Sequence, residues 1–150
     1  MQEKDLQLQT VTESRKMTFG FWFGLIFILF VLTQLIRIVI LKFHFSTFLN
    51  DRFAFSLNFP ITVMYGLYAV AIFFIGKYLY KNWKQLTFNT KIGFGLIVAG
   101  GLANLAERII FSQVVDYIFI LNGILNLADL YIFFGAAIVL IDLYKHKKLD

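Results

Sequence analysis

The chain has 150 residues, of which 59% are apolar, 19% aromatic and only 15% charged, with a mean hydropathy of +0.75. A water-soluble domain of this length carries about a quarter charged residues, so the composition describes a single membrane domain. With no cysteine, two histidines and fourteen basic residues scattered between apolar runs, the sequence excludes a disulfide framework, a thiolate or histidine-rich metal site, a cysteine nucleophile and a phosphate-binding stripe.

Residues 1–16, MQEKDLQLQTVTESRK, are polar without an apolar period and are expected to form a cytosolic tail. The run 17–41 exceeds the roughly 20 apolar residues that cross a bilayer. Arg15 and Lys16 before it resemble the start of a signal peptide, but the apolar core is too long and no small-residue cleavage site follows, so it reads as an anchor. Further spans are expected at 61–80, 92–106 and 125–144, within a membrane domain covering 17–150. Gly93, Gly95, Gly100 and Gly101 imply that the short third span packs closely inside the bundle, and Gly20-x-x-x-Gly24 in the first span also reads as a packing motif.

Ten lysines and arginines flank one side of these spans, whereas the other holds Arg37, Lys42, Arg52 and Arg108. The bias puts both termini and His146 in the cytosol, with His44 outside. The segments 42–60 and 107–124 then face outward. In the first, Phe43 and Phe45, then Phe53, Phe55, Leu57 and Phe59, alternate around Asn50-Asp51. That period predicts a small β-hairpin, the alternative being an interfacial aromatic loop.

Most acids have ordinary explanations. Glu3, Asp5 and Glu13 belong to the tail, Asp51 to a turn, and Asp142 sits close to Lys145 and His146 and reads as solvated. Glu107, Asp116 and Asp129 remain, the two aspartates wrapped in apolar sequence. A carboxylate in hydrocarbon costs about 2.5–3.5 kcal/mol on insertion scales, so folding alone does not call for them. Asp116 and Asp129 are 13 residues apart, and a turn at Asn122-Gly123 can bring them together near the outer face. Two close carboxyls share a proton, giving one acid and one base able to hydrolyse a peptide without metal or organic cofactor. The competing reading has Asp116 neutralising Arg108 while Asp129, with Asn126, caps the fourth helix. Serine-nucleophile, zinc-protease and nucleotide motifs are absent from the sequence, and a Ser46–His44 pair lacks a neighbouring oxyanion-hole glycine.

Residues 100–135 resemble the bacterial lipoprotein signal peptidase family, also called signal peptidase II. Its ordered motifs are a glycine pair before Asn-x-x-Asp-Arg, then Val-Val-Asp-aromatic, then Asn-x-Ala-Asp at the start of the last span. They correspond to Gly100-Gly101, Asn104 to Arg108, Val114-Val115-Asp116-Tyr117 and Asn126-Leu127-Ala128-Asp129. The resemblance implies an all-α membrane protein, a four-transmembrane-helix bundle with a small extracytoplasmic β-hairpin cradle between helices 1 and 2. It implies an aspartic endopeptidase of the bacterial cytoplasmic membrane, with its active site near the outer face and no cofactor. The substrate would be a diacylglyceryl-modified prolipoprotein, cut N-terminal to the lipidated cysteine. The implied partners are that substrate and membrane lipids, with no nucleic acid and a monomeric enzyme. Asp116 and Asp129 take the catalytic positions, while Asn50, Asn104, Arg108 and Asn126 take the substrate-ordering ones.

The N-terminal half departs from the pattern. Thr33 and Arg37 occupy the first-span Asp-x-x-Ser/Thr-Lys motif, Arg52-Phe53 replaces Gly-Ala, and Glu107 replaces the aspartate before Arg108. These departures leave room for a non-catalytic member that binds lipidated substrates. A proton or ion relay through Asp129, Glu107 and Arg108 is a weaker alternative, because the second span offers only Thr62, Tyr65 and Tyr68 before its cytosolic lysines.

Overall fold

The structure, a computed structural model, describes residues 17–51, 60–120 and 123–147. The tail 1–16, the second arm of the expected hairpin at 52–59 and Asn122 lie outside the described residues. Among the described residues, the apolar runs form four helices long and apolar enough to cross a membrane: α1 (Phe19–Lys42), α2 (Ile61–Asn82), α3 (Phe88–Phe111) and α4 (Leu127–Lys147). Between them lie β1 (Phe48–Asn50), β2 (Val114–Asp116), β3 (Ile118–Ile120) and β4 (Gly123–Leu125).

Helix starts follow local chemistry. The Thr18 hydroxyl accepts the Phe21 N–H at 3.2 Å, and the Thr87 hydroxyl accepts the Thr90 N–H at 3.1 Å, each satisfying an orphan donor of the first turn. Pro60 opens α2, its carbonyl accepting the Val63 and Met64 N–H groups. The third helix extends beyond the apolar stretch 92–106 at both ends. Its outer turns carry Asn104, Glu107 and Arg108, polar residues buried against neighbours, so hydropathy alone underestimates its length.

Small residues let α3 and α4 approach closely. A Cβ on Gly93 would lie 2.8 Å from the Gly135 carbonyl oxygen, one on Gly135 would lie 2.6 Å from that of Gly93, and one on Gly100 would strike the Ala128 carbonyl. By contrast, a Cβ on Gly20 or Gly24 meets nothing, so the Gly-x-x-x-Gly spacing in α1 does not serve packing among the described residues. Gly93→Ala or Gly135→Ala is therefore expected to destabilise the bundle by about 1–3 kcal/mol through overpacking, with Gly24→Ala as the neutral control. Denaturant unfolding in detergent checks the difference, and equal stability of all three variants would contradict it.

Near the start of α3, Trp22 packs with Met17, Ile26, Leu79 and Ala99, and its indole N–H donates to the Lys91 carbonyl at 2.8 Å, tying α1 to α3. Asp142, expected to be solvated, is instead buried at 7% exposure. Its carboxylate accepts the hydroxyls of Thr87 and of Thr90, the latter at 2.5 Å. The partners lie 55 and 52 residues upstream rather than one turn downstream, which is why local sequence pointed to solvent. The outer surface carries exposed phenylalanines, including Phe21, Phe27, Phe73 and Phe133, as expected of helices facing lipid.

A strand does lie between the first two helices, but it is β1 at Phe48–Asn50, over the expected turn. The expected first arm at Phe43 and Phe45 is no strand, because α1 ends there with the Phe43 N–H on the Val39 carbonyl and His44 at φ 54°. The ladder partner of β1 among the described residues is β2, antiparallel, with Phe48 opposite Asp116 and Asn50 opposite Val114. β3 and β4 form a second antiparallel pair, so the chain reverses between Asp116 and Asp129.

Candidate active site

Three devices carry the chain from α3 to α4. Ser112 adopts a left-handed conformation (φ 60°) and its N–H closes on the Arg108 carbonyl at 2.9 Å, ending α3 abruptly. The next residues, Val114, Val115 and Asp116, are all buried. After the β3–β4 reversal, Tyr117 N–H donates to the Leu125 carbonyl at 2.9 Å, bringing residue 126 back beside residue 116.

There Asn126 and Asp129 cap α4 reciprocally. The Asn126 Oδ1 accepts the Asp129 N–H at 3.0 Å, and the Asp129 Oδ2 accepts the Asn126 N–H at 3.1 Å. The Asn126 side-chain amide reaches further, donating to Asp116 Oδ1 at 2.8 Å and to Asn104 Oδ1 at 3.1 Å. Asn104 donates to Asp129 Oδ1 at 2.8 Å, and Asn50 donates to Asp116 Oδ2 at 2.8 Å. Each of the four carboxyl oxygens thus accepts an amide hydrogen bond, and Asn126 bridges the two acids. The helix cap anticipated for Asp129 is present, and it does not take that residue out of the pair, because its other oxygen faces Asn104.

Burial sets the electrostatics. Asp116 is only 1% exposed, whereas Asp129 is half-buried. Desolvation pushes the Asp116 carboxyl above the usual carboxylate range, against the hydrogen bonds from Asn50 and Asn126. The Asp129 charge adds to the rise and the Arg108 guanidinium opposes it. Arg108 is itself buried, and its carbonyl also accepts the Tyr65 hydroxyl at 3.1 Å.

All six residues singled out in the sequence, Asn50, Asn104, Arg108, Asp116, Asn126 and Asp129, therefore meet at one place, drawn from β1, α3, β2 and the start of α4. Others join them that the sequence did not single out for the site. Tyr65 anchors the end of α3, and the Tyr117 hydroxyl accepts the Leu127 N–H at 3.2 Å. Tyr65 carries no sequence signal beyond being aromatic, whereas Tyr117 is the aromatic position of the Val-Val-Asp-aromatic motif. Thr33, at the position of the missing first-span acid, is buried and donates to the Leu29 carbonyl of its own helix at 2.9 Å. Among the described residues, no group of three or more His, Cys, Asp or Glu is arranged to hold a metal ion. Two carboxyls in one hydrogen-bonded frame, one strongly desolvated, are suited to sharing a proton between an acid and a base.

Residues 16–145 match the family model for signal peptidase (SPase) II. Similar curated proteins named lipoprotein signal peptidase include one from Bartonella bacilliformis, 38% identical over 102 residues, covering 62% of this chain and 61% of that protein. Another, from Microcystis aeruginosa, is 33% identical over 117 residues, covering 70% of each. The chain thus spans about three fifths of the length of the Bartonella protein it matches. A bacterial membrane enzyme solved by the in meso method at 2.3 Å resolution shares the fold with a TM-score of 0.74 at 20% identity, covering 89% of this chain and 93% of that one. A second, at 1.9 Å, gives a TM-score of 0.67 at 18% identity, covering 86% and 96%.

Proposed function

The chain belongs to the signal peptidase II family, and from that premise we propose that it is an aspartic endopeptidase that removes the signal peptide from diacylglyceryl-modified prolipoproteins, cutting N-terminal to the lipidated cysteine. The observation that carries this reading is the bridging of Asp116 and Asp129 by Asn126. The pair holds one proton. Its ionised member takes a proton from water, the oxygen attacks the scissile carbonyl carbon, and its protonated member delivers a proton to the carbonyl oxygen. Collapse of the resulting gem-diol breaks the C–N bond. The leaving nitrogen takes up a proton from the pair, the other member of the pair takes one from a gem-diol hydroxyl so that the pair again holds one proton, and the carboxyl product retains the water oxygen. No metal or organic cofactor enters this scheme.

Asn50, Asn104, Asn126 and Arg108 keep the acids fixed and order the peptide. The acyl chains of the substrate remain in lipid beside the exposed apolar helix faces. Both termini are cytosolic, the acid pair lies near the outer face of the bacterial cytoplasmic membrane, and the enzyme acts as a monomer within a single membrane domain.

A gel-shift cleavage assay on purified protein tests the reading. The diacylglyceryl-modified prolipoprotein is expected to lose its signal peptide, whereas the unmodified precursor is not, and failure to cleave the modified form overturns the proposal. The same assay run against pH is expected to give a bell, with both limbs belonging to the pair rather than to single residues. Activity falls at low pH when the base becomes protonated and at high pH when the acid loses its proton. Because burial raises the Asp116 carboxyl, the alkaline limb is expected above the ordinary carboxyl range. A single sigmoid would argue against a shared proton.

A further inference from the structure

Glu107 stands outside the scheme above, yet it is a buried acid, 4% exposed, on the last turns of α3. An apolar side chain would serve lipid packing better at such a depth, so the carboxylate needs a specific partner. It has two. Its Oε2 accepts the Val115 N–H at 3.0 Å, and its Oε1 faces the Arg37 Nε of α1 at 3.8 Å. The Arg37 guanidinium lies 4.3 Å from the centre of the Phe111 ring, and its side chain is 12% exposed.

Val115 immediately precedes Asp116 in a strand whose ladder partner among the described residues is β1. The ladder holds one side of that strand, and Glu107 takes the N–H of its middle residue. We infer that Glu107 is a positioning residue that clamps β2 and so fixes the Asp116 carboxyl, with Arg37 holding the clamp. Both residues depart from the resembled pattern: the carboxylate of the longer acid at position 107 and the guanidinium at 37 face each other. Its catalytic consequence rests on the peptidase reading, whereas the clamp itself does not.

The test compares wild type with Glu107→Leu, Glu107→Gln and Arg37→Met in detergent, reading kcat and KM on the lipidated prolipoprotein, and hydrogen exchange of the peptide spanning residues 113–117. Glutamine keeps an oxygen for the Val115 N–H and leucine does not. Glu107→Leu is expected to lower kcat about 100-fold with KM moved less than about threefold, since a strand shift near 1 Å suffices for such a loss. Exchange in 113–117 should accelerate at least about tenfold. Glu107→Gln is expected to keep the protection and lose less than about tenfold in kcat, a rescue that a general structural role would not give. Arg37→Met should lower kcat about tenfold, and wild-type behaviour there removes Arg37 from the proposal. Wild-type kcat or exchange in Glu107→Leu, or identical behaviour of the leucine and glutamine variants, overturns the clamp. If wild type itself fails to cleave, the peptidase reading falls and the exchange data alone decide the inference.

Discussion

Asp116→Asn and Asp129→Asn are each expected to lower prolipoprotein cleavage by at least about 10³-fold, because each removes a group that transfers a proton in the proposed reaction. The accompanying stability change separates chemistry from folding. Asparagine keeps the volume of aspartate, and at position 116 it replaces a carboxylate that burial disfavours. The Asp116→Asn protein should therefore unfold no more readily than wild type, the pattern expected when a site trades stability for activity. The new side chain has one oxygen for the two donors, so the local adjustment it requires is a turn of the Asn50 amide that presents its oxygen to the introduced NH2. Wild-type turnover in either variant would remove that acid from the mechanism, and an inactive, unfolded Asp116→Asn would show that its role is structural.

Asn126→Leu should behave differently. It removes the two donors to Asp116 and Asn104 and the acceptor for the Asp129 N–H, leaving buried polar groups without partners. Loss of a helix cap costs about 1 kcal/mol and each unsatisfied buried group about 1–3 kcal/mol, so a destabilisation of about 2–4 kcal/mol is expected. Activity of the remaining folded fraction should fall about 10²-fold, because the two acids lose the group that fixes their separation. Denaturant titration followed by a cleavage assay under folding conditions reads both effects. An Asn126→Leu protein that is stable and active would dissolve the bridge on which the proposed function stands.

How much of this could be read from sequence depends on the range of each interaction. Apolar run length marks the helices, because a bilayer imposes it locally. The same reasoning undershoots α3, where Asn104, Glu107 and Arg108 interrupt the hydropathy while lying inside the bundle. Asp116 and Asp129 stand out through the expense of burying charge, and a short reversal joins them. Asn50 and Asn104 do not stand out, since a lone asparagine carries no pattern, and only the resemblance pointed to them. Asp142 misleads because its threonine partners sit at the far end of another helix. Likewise Gly20 and Gly24 have the spacing of a contact face without a neighbour against it, whereas Gly135, outside any motif, touches Gly93 through the backbone.

The contact between Asn50 and Asp116 spans 66 positions, and the bridge from Asn126 closes later still. A ribosome extends the chain from one end, so a nascent protein reaching only residue 125 holds the first acid and one of its amide donors, but neither the second acid nor the link between them. Completeness at this site is therefore tied to integration of the final helix. On the proposed reaction, an unfinished translation product therefore carries no peptidase activity during insertion.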